Sequence, residues 1–224
     1  MSRVIIFDVN ETLLDLRGLD VCFKRYLRVA DVRKEWFAQA LSSAMVATIT
    51  DAYSDFGRIG GAALEMIAQR HQLSLSDDAR AAILGAMRTL PPHAEAPDAL
   101  ARLRDQGLRL GALTNSTAQT AQAQLKHAGL YDFFEQILSA HAVRRLKPAP
   151  EPYLMAARAF DVDASNVRLV AAHSWDVIGA MRAGCRAAFV ARPGMVLDPL
   201  AERPDIVGAD LGAVADSILK MDVR

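Results

Sequence analysis

The sequence predicts an α/β fold, a parallel sheet flanked by helices, with a second and smaller helical block inserted after the first strand. Three observations carry this expectation. Val4-Ile5-Ile6-Phe7 is a short apolar run that stops at Asp8, the pattern of a strand buried on both faces. From residue 97 onward, strand-like runs alternate with helix-like segments, which places helices on both sides of a parallel sheet. Between residues 19 and 88 no comparable strand occurs. Apolar residues there recur at helical spacing, as in Trp36, Ala40, Leu41, Ala44 and again Leu64, Ile67, Ala68.

The elements follow in order. Asp77 and Asp78 open a helix ending near Arg88, and Pro91-Pro92 closes the block because neither proline continues a helix. Residues 97–106 read as a helix stopped by Gly107, and residues 108–113 as a strand. A helix over 117–127 ends at Gly129, a natural C-terminal stop. A short strand covers 136–139, and Pro150-Glu151-Pro152 opens a helix to about Phe160, with proline where its missing N–H costs nothing. A strand at 167–171, a helix at 175–183, a strand at 187–190 and a final helix at about 211–219 complete the chain. The expected domains are a core of residues 1–15 and 92–224 and a helical cap of residues 16–91.

Composition narrows the function classes. The chain has 224 residues, 52% of them hydrophobic, with Lys+Arg 26 balanced by Asp+Glu 26. That balance argues against a nucleic-acid partner, which needs an excess of cations on some face. No apolar stretch reaches the roughly 18 residues of a membrane helix. The N-terminus runs directly into an apolar strand, so a cytoplasmic protein is expected. Cys22 and Cys185 are far apart, lack metal-ligand spacing and read as reduced core thiols.

Parallel sheets bind ligands at the carboxyl ends of their strands. The loops after Phe7, Leu113 and Ala171 should therefore converge with the loop carrying Lys147. Asp8 follows the first strand, Thr114 and Asn115 the second, Lys147-Pro148 precedes a helix, and His173 and Asp176 follow a later strand. An Asp after a strand is ordinarily a cap, a Lys before Pro is ordinarily solvated, and a His at a strand end is ordinarily structural. Their convergence at one sheet edge is what points to chemistry.

These motifs resemble the haloacid dehalogenase superfamily. Phe7-Asp8-Val9-Asn10-Glu11-Thr12-Leu13 is similar to its first motif, Leu113-Thr114-Asn115 to its second, Lys147-Pro148 to its third, and Trp175-Asp176 with Ala183-Gly184 to its fourth. The resemblance implies a Rossmann-like core with an inserted helical cap, and Asp8 as nucleophile. It is similar to the L-2-haloacid dehalogenase branch in particular. There the carboxylate displaces halide from C2 of a short carboxylic acid, and water then hydrolyses the resulting ester. The magnesium-dependent phosphatases of the superfamily carry a general acid two residues after the nucleophile and an acidic metal ligand four residues before Asp176. Asn10 and Ala172 stand at those positions, and neither can do that work. No metal or cofactor is therefore expected.

The resemblance also assigns roles. Lys147 supplies the charge that lets Asp8 approach an anionic substrate, whose repulsion at ~4 Å is on the order of 4 kcal/mol at an effective dielectric of ~20. Thr12 orients Asp8. Thr114 and Asn115 donate to the substrate carboxylate. Asp176 holds Lys147 or positions the hydrolytic water. Val9, Asn10 and Tyr153 are expected at the substrate, with Trp175, Leu41 and Phe56 lining an apolar pocket; packing in the core is the plainer reading of Leu41 and Phe56. The branch is commonly homodimeric.

Four departures separate the chain from that pattern. Aligned through Trp36 and Phe56, Phe37 stands where the family carries an Arg thought to receive the halide. Ala171 and His173 replace a Ser and an Asn, and Asn10 an aromatic residue. His173 can act as a base when neutral or donate to a leaving group when protonated. Hydrolytic opening of azetidine-2-carboxylate, which needs no halide receptor, is the alternative reading, and a phosphatase a second. A binding protein that kept the fold without chemistry stands beside these.

Overall fold

The computed structural model describes residues 4–28 and 32–223. Among the described residues six strands form one sheet in the order β3-β2-β1-β4-β5-β6, and every pairing is parallel. They are β1 (Val4–Phe7), β2 (Arg109–Thr114), β3 (Gln136–Ser139), β4 (Val167–Ala171), β5 (Arg186–Val190) and β6 (Ile206–Gly208). The strand order reverses at β1, so the crevice at its carboxyl end is the natural ligand site of this topology.

Alternation along β1 builds two cores. Ile5 and Phe7 pack on one face with Leu100 and Leu103 of α5 (Ala96–Asp105) and Val214 and Ile218 of α9 (Leu211–Asp222). Val4 and Ile6 pack on the other with Tyr153, Ala156 and Ala157 of α7 (Pro150–Ala159) and Val177 and Ala180 of α8 (Ser174–Arg182). All four β1 side chains are closed off from water, which accounts for the unbroken apolar run. The remaining core helix, α6 (Ala118–His127), is capped by Thr117, whose side chain accepts from Thr120 N, and Gly129 follows it at φ 67°.

The insertion comprises α1 (Asp20–Leu27), α2 (Val32–Ile49), α3 (Phe56–Arg70) and α4 (Asp77–Ala86). Its core is continuous with the Ile5/Phe7 face through Leu13, Leu16, Leu19, Phe23, Trp36 and Leu64. The two connections to the sheet run side by side. Leu14 bridges Pro92, Asp15 N donates to Pro91 O at 2.9 Å, and His93 N donates to Leu13 O at 2.9 Å. The helical block is thus entered and left at one place, directly after the loop that carries Asp8.

The sequence reading misses β6. Three residues in the burial pattern buried-exposed-buried, at the sheet edge, give too short an alternation to distinguish from a loop. Cys185 is buried, while Cys22 is half-buried and packs against the core from its rim, so only the former is a core thiol. Burial pushes the Cys185 thiol up to about 12, so it stays protonated.

Candidate active site

Asp8 leaves the carboxyl end of β1 and is held by Asp8 N donating to Val170 O of β4 at 3.0 Å. Its side chain is only 7% exposed. The Thr12 hydroxyl donates to Asp8 Oδ2 at 2.7 Å and accepts from Ala172 N at 2.9 Å, so the loop after β4 fixes the carboxylate through Thr12. Lys147 Nζ directs three hydrogen bonds: to Asp8 Oδ1 at 2.8 Å, to Asp176 Oδ2 at 2.6 Å and to Leu113 O at 3.1 Å. An ammonium has three protons, so none remains for a ligand and Lys147 influences the site by charge. Burial alone would raise the Asp8 carboxyl; Lys147 and then His173 outweigh it and hold Asp8 well below the usual carboxylate range. Burial likewise opposes the Lys147 charge, but Asp176 and Asp8 keep it raised.

Asp176, in the first turn of α8, is fully buried. One oxygen takes Lys147, and the other takes the Tyr153 hydroxyl at 2.6 Å. Tyr153, expected at the substrate, therefore lies behind Asp176 and does not reach the cleft. It fits there because residue 179 is glycine: a Cβ on Gly179 would stand 2.6 Å from the Tyr153 hydroxyl.

His173 also lies beside Asp8. Its Nδ1 is 3.4 Å from Asp8 Oδ2 and its Nε2 is 2.9 Å from Glu11 Oε2. Its ring stacks on Trp175 at 5.1 Å and meets Phe37 at 6.1 Å. Burial disfavours the charged imidazole, yet contacts with Asp8 and Glu11 prevail and raise it to about 9, so the resting ring carries a proton.

A small cleft joins these groups. Its polar wall is Asp8, Asn10, Thr114, Asn115, Lys147 and His173, and its apolar wall is Phe37, Leu41, Phe56 and Trp175. Asp176, Thr12, Tyr153 and Val9 stand behind this surface. Val9 is fully buried among core residues, because its carbonyl accepts from Leu13 N and Leu14 N and turns the loop inward. Asn115, expected to face substrate, uses its amide on the neighbouring loop: Oδ1 accepts from Lys147 N at 2.8 Å and Nδ2 donates to Lys147 O at 3.3 Å. Thr114 Oγ1 accepts from Ser116 N at 3.1 Å, which leaves its own proton for another acceptor.

Sequence reasoning did not single out Glu11 or Gln124. Gln124, buried on α6, donates to Asn10 Oδ1 at 3.0 Å and to Met87 O at 2.8 Å, which fixes the Asn10 amide. Glu11 shares the first motif with Asp8 and Thr12, and a carboxylate facing a histidine is only evident once the loops meet. The site has a buried ionised carboxylate, a saturated ammonium, an imidazole between two carboxylates and a short apolar wall.

A family model described as haloacid dehalogenase-like hydrolase matches residues 5–190. The chain belongs to the haloacid dehalogenase-like hydrolase family. Among its relatives, the (S)-2-haloacid dehalogenase of Pseudomonas sp. strain YL is 29% identical over 216 residues, covering 95% of this chain and 92% of that protein. Haloacetate dehalogenase H-2 of Moraxella sp. strain B is 27% identical over 218 residues, covering 96% and 97%. The L-2-haloacid dehalogenase of Xanthobacter autotrophicus superposes with a TM-score of 0.92 at 26% identity, over 99% of this chain and 100% of that one. In this haloacid dehalogenase-like hydrolase the motif loops named from sequence meet at one sheet edge.

Proposed function

We propose that this hydrolase is an (S)-2-haloacid dehalogenase that converts short 2-haloalkanoic acids to 2-hydroxy acids through an ester on Asp8. The observation that carries the reading is the buried Asp8–Lys147 pair lining a small cleft with an apolar wall. A carboxylate held far below its usual pKa is a poor base but remains an ionised nucleophile, and it needs no separate base to activate it. The names of the relatives support attack at a carbon–halogen bond.

On this reading residues 16–91 act as a cap over a core of residues 1–15 and 92–224. The cap contributes Phe37, Leu41 and Phe56 to the substrate's alkyl side. Thr12 aims Asp8, and Asp176 with Tyr153 anchors Lys147. The free proton of Thr114 and the second amide proton of Asn115 serve the substrate carboxylate. Phe37 brings no charge to the cleft, and His173 is held beside Asp8 with its ring against Trp175 and Phe37. Asn10 and Ala172 leave the cleft without the acid and the acidic ligand that a magnesium phosphatase uses. The likeness to the L-2-haloacid dehalogenase branch favours a homodimer; light scattering tests it. A cytoplasmic location is part of the same reading.

The deciding experiment is a substrate screen in EDTA containing L- and D-2-chloropropionate, chloroacetate, fluoroacetate, azetidine-2-carboxylate and a phosphate ester. Halide release from the L-chloro-acid is expected. Turnover of azetidine-2-carboxylate alone would move the reading to ring opening, and activity that appears only with magnesium and the phosphate ester would overturn it.

A further inference from the structure

Beside the connections that join the helical block to the sheet lies a second cavity, of about 420 Å³, which shares no lining residue with the catalytic cleft. Four cations and two carboxylates line it: Arg17, Arg33, Lys34 and Arg192 against Glu11 and Asp15. Both carboxylates are engaged. Asp15 Oδ2 is 2.6 Å from Arg17 Nη2, and Glu11 Oε2 is 2.9 Å from His173 Nε2. The wall therefore keeps an excess of positive charge. His93, also on the wall, adds none. Its Nε2 meets Glu11 O at 3.2 Å, and because a carbonyl only accepts, that nitrogen carries the ring proton. Burial, and then the Arg192 charge, lower the His93 imidazole, so the ring is neutral at neutral pH.

Arg33 is the group that defines the site. It projects from the first turn of α2, and its side chain is only 7% exposed. Its Nε donates to Asp20 Oδ1 at 2.5 Å. Among the described residues, neither Nη1 nor Nη2 makes a hydrogen bond; Glu11 Oε1 stands 3.9 Å from Nη1, beyond hydrogen-bond range. A guanidinium has five N–H protons in one plane, so four are left on a buried side chain that lines an open cavity. Buried donors in folded proteins are nearly always paired. The Nη1–Nη2 edge has the spacing that grips a carboxylate through two parallel hydrogen bonds. Arg192, the other buried cation of the wall, is fixed by Thr12 O at 2.7 and 3.1 Å and by Glu95 Oε1 at 2.7 Å.

We propose that this cavity is a second anion site that binds a small carboxylate, held by the Nη1–Nη2 edge of Arg33 in the field of Arg192 and Lys34. The site lies apart from the chemistry at Asp8 and does not depend on it. On the dehalogenase reading, substrate and product are both small carboxylates, and the 2-hydroxy acid fits the same description. The position gives binding a consequence. Arg33 belongs to the helical block, and Arg192 to the loop after β5. Between them run the two connections, where Asp15 N donates to Pro91 O and His93 N to Leu13 O. A carboxylate on Arg33 in this cavity ties the helical block to the sheet at its hinge.

Met195 lines this cavity, and no methionine lines the cleft, so its methyl group reports on the second site. The test is a titration of the full chain, labelled with [methyl-¹³C]methionine, with L-lactate at constant ionic strength. The Met195 signal is assigned through Met195→Leu. Lactamide, a neutral amide of the same shape, and potassium chloride are the references. The expected result is a saturable shift of the Met195 signal with lactate alone. In Arg33→Gln its midpoint should rise by about 10-fold or more, the scale of losing a charge-assisted pair of bonds. Arg33→Gln keeps the cleft, so a shift transmitted from lactate bound at Asp8 would persist there at the parent midpoint and would overturn the proposal. So would the absence of a shift, a shift that grows without saturating, or one that lactamide or chloride reproduces. Should Arg33→Gln misfold by circular dichroism, Arg33→Lys, which keeps the charge and loses the fork, carries the same comparison. A Met195 signal unmoved by lactate in an enzyme that still releases halide would overturn this site and leave the reading of Asp8 intact.

Discussion

The ammonium of Lys147 lies 2.8 Å from the carboxylate of Asp8, with the two side chains 1% and 7% exposed. Removing it would leave the carboxylates of Asp8 and Asp176 without the cation they share. Lys147→Ala is expected to lower turnover by about 10³-fold or more, the scale of losing a pre-organised charge. It should also lower thermal stability, because an uncompensated buried charge costs about 3–5 kcal/mol. Steady-state kinetics alongside a melting curve checks both, and a near-parent rate would mean that Asp8 reacts without a counter-charge.

Asn115 tests a different link. Its amide clasps Lys147 N and Lys147 O and so sets where the Lys147 side chain begins. Asn115→Ala leaves buried backbone groups without partners, at about 1–3 kcal/mol. The expected outcome is a lower Tm together with a lower kcat. A rise in KM alone, at unchanged Tm, would assign Asn115 to substrate contact and remove it from the scaffold.

The pH dependence of stability has a definite sign. His173 is raised from 6.5 in the unfolded chain to about 9 in the fold. Its contribution is fully present below about pH 6.5 and is lost as pH rises through about 9, an amount on the order of 3 kcal/mol. Asp8 is lowered, so its contribution is present above its unfolded pKa and declines as pH falls below it. Denaturant midpoints from pH 6 to 10 should therefore fall more steeply in the parent than in His173→Gln. Parallel curves would show that the imidazole is not charged in the resting enzyme.

Much of the architecture was legible because buried strands announce themselves: the run over residues 4–7, the strand at 136–139 and the one at 167–171 coincide with β1, β3 and β4. The convergence of Asp8, Lys147 and His173 followed from topology, since parallel strands deliver their loops to one edge. What stayed hidden depends on side-chain direction. Sequence placed Tyr153 at substrate because spacing does not say which side of Asp176 it takes; Gly179 makes the room behind. Glu11 and Gln124 carry no periodic signal, and their partners are 162 and 114 residues away. The edge strand β6 is too short to show a pattern.

On the proposed mechanism Asp8 attacks carbon and is then regenerated by water at its own carbonyl. A single turnover of L-2-chloropropionate with excess enzyme in oxygen-18 water measures this directly, with mass spectrometry of the peptide spanning residues 4–17 and of the product. The expected result is label in Asp8 and little in the 2-hydroxy acid. Label in the product with Asp8 unlabelled would contradict it, because water would then have attacked the substrate itself and Asp8 would be a base.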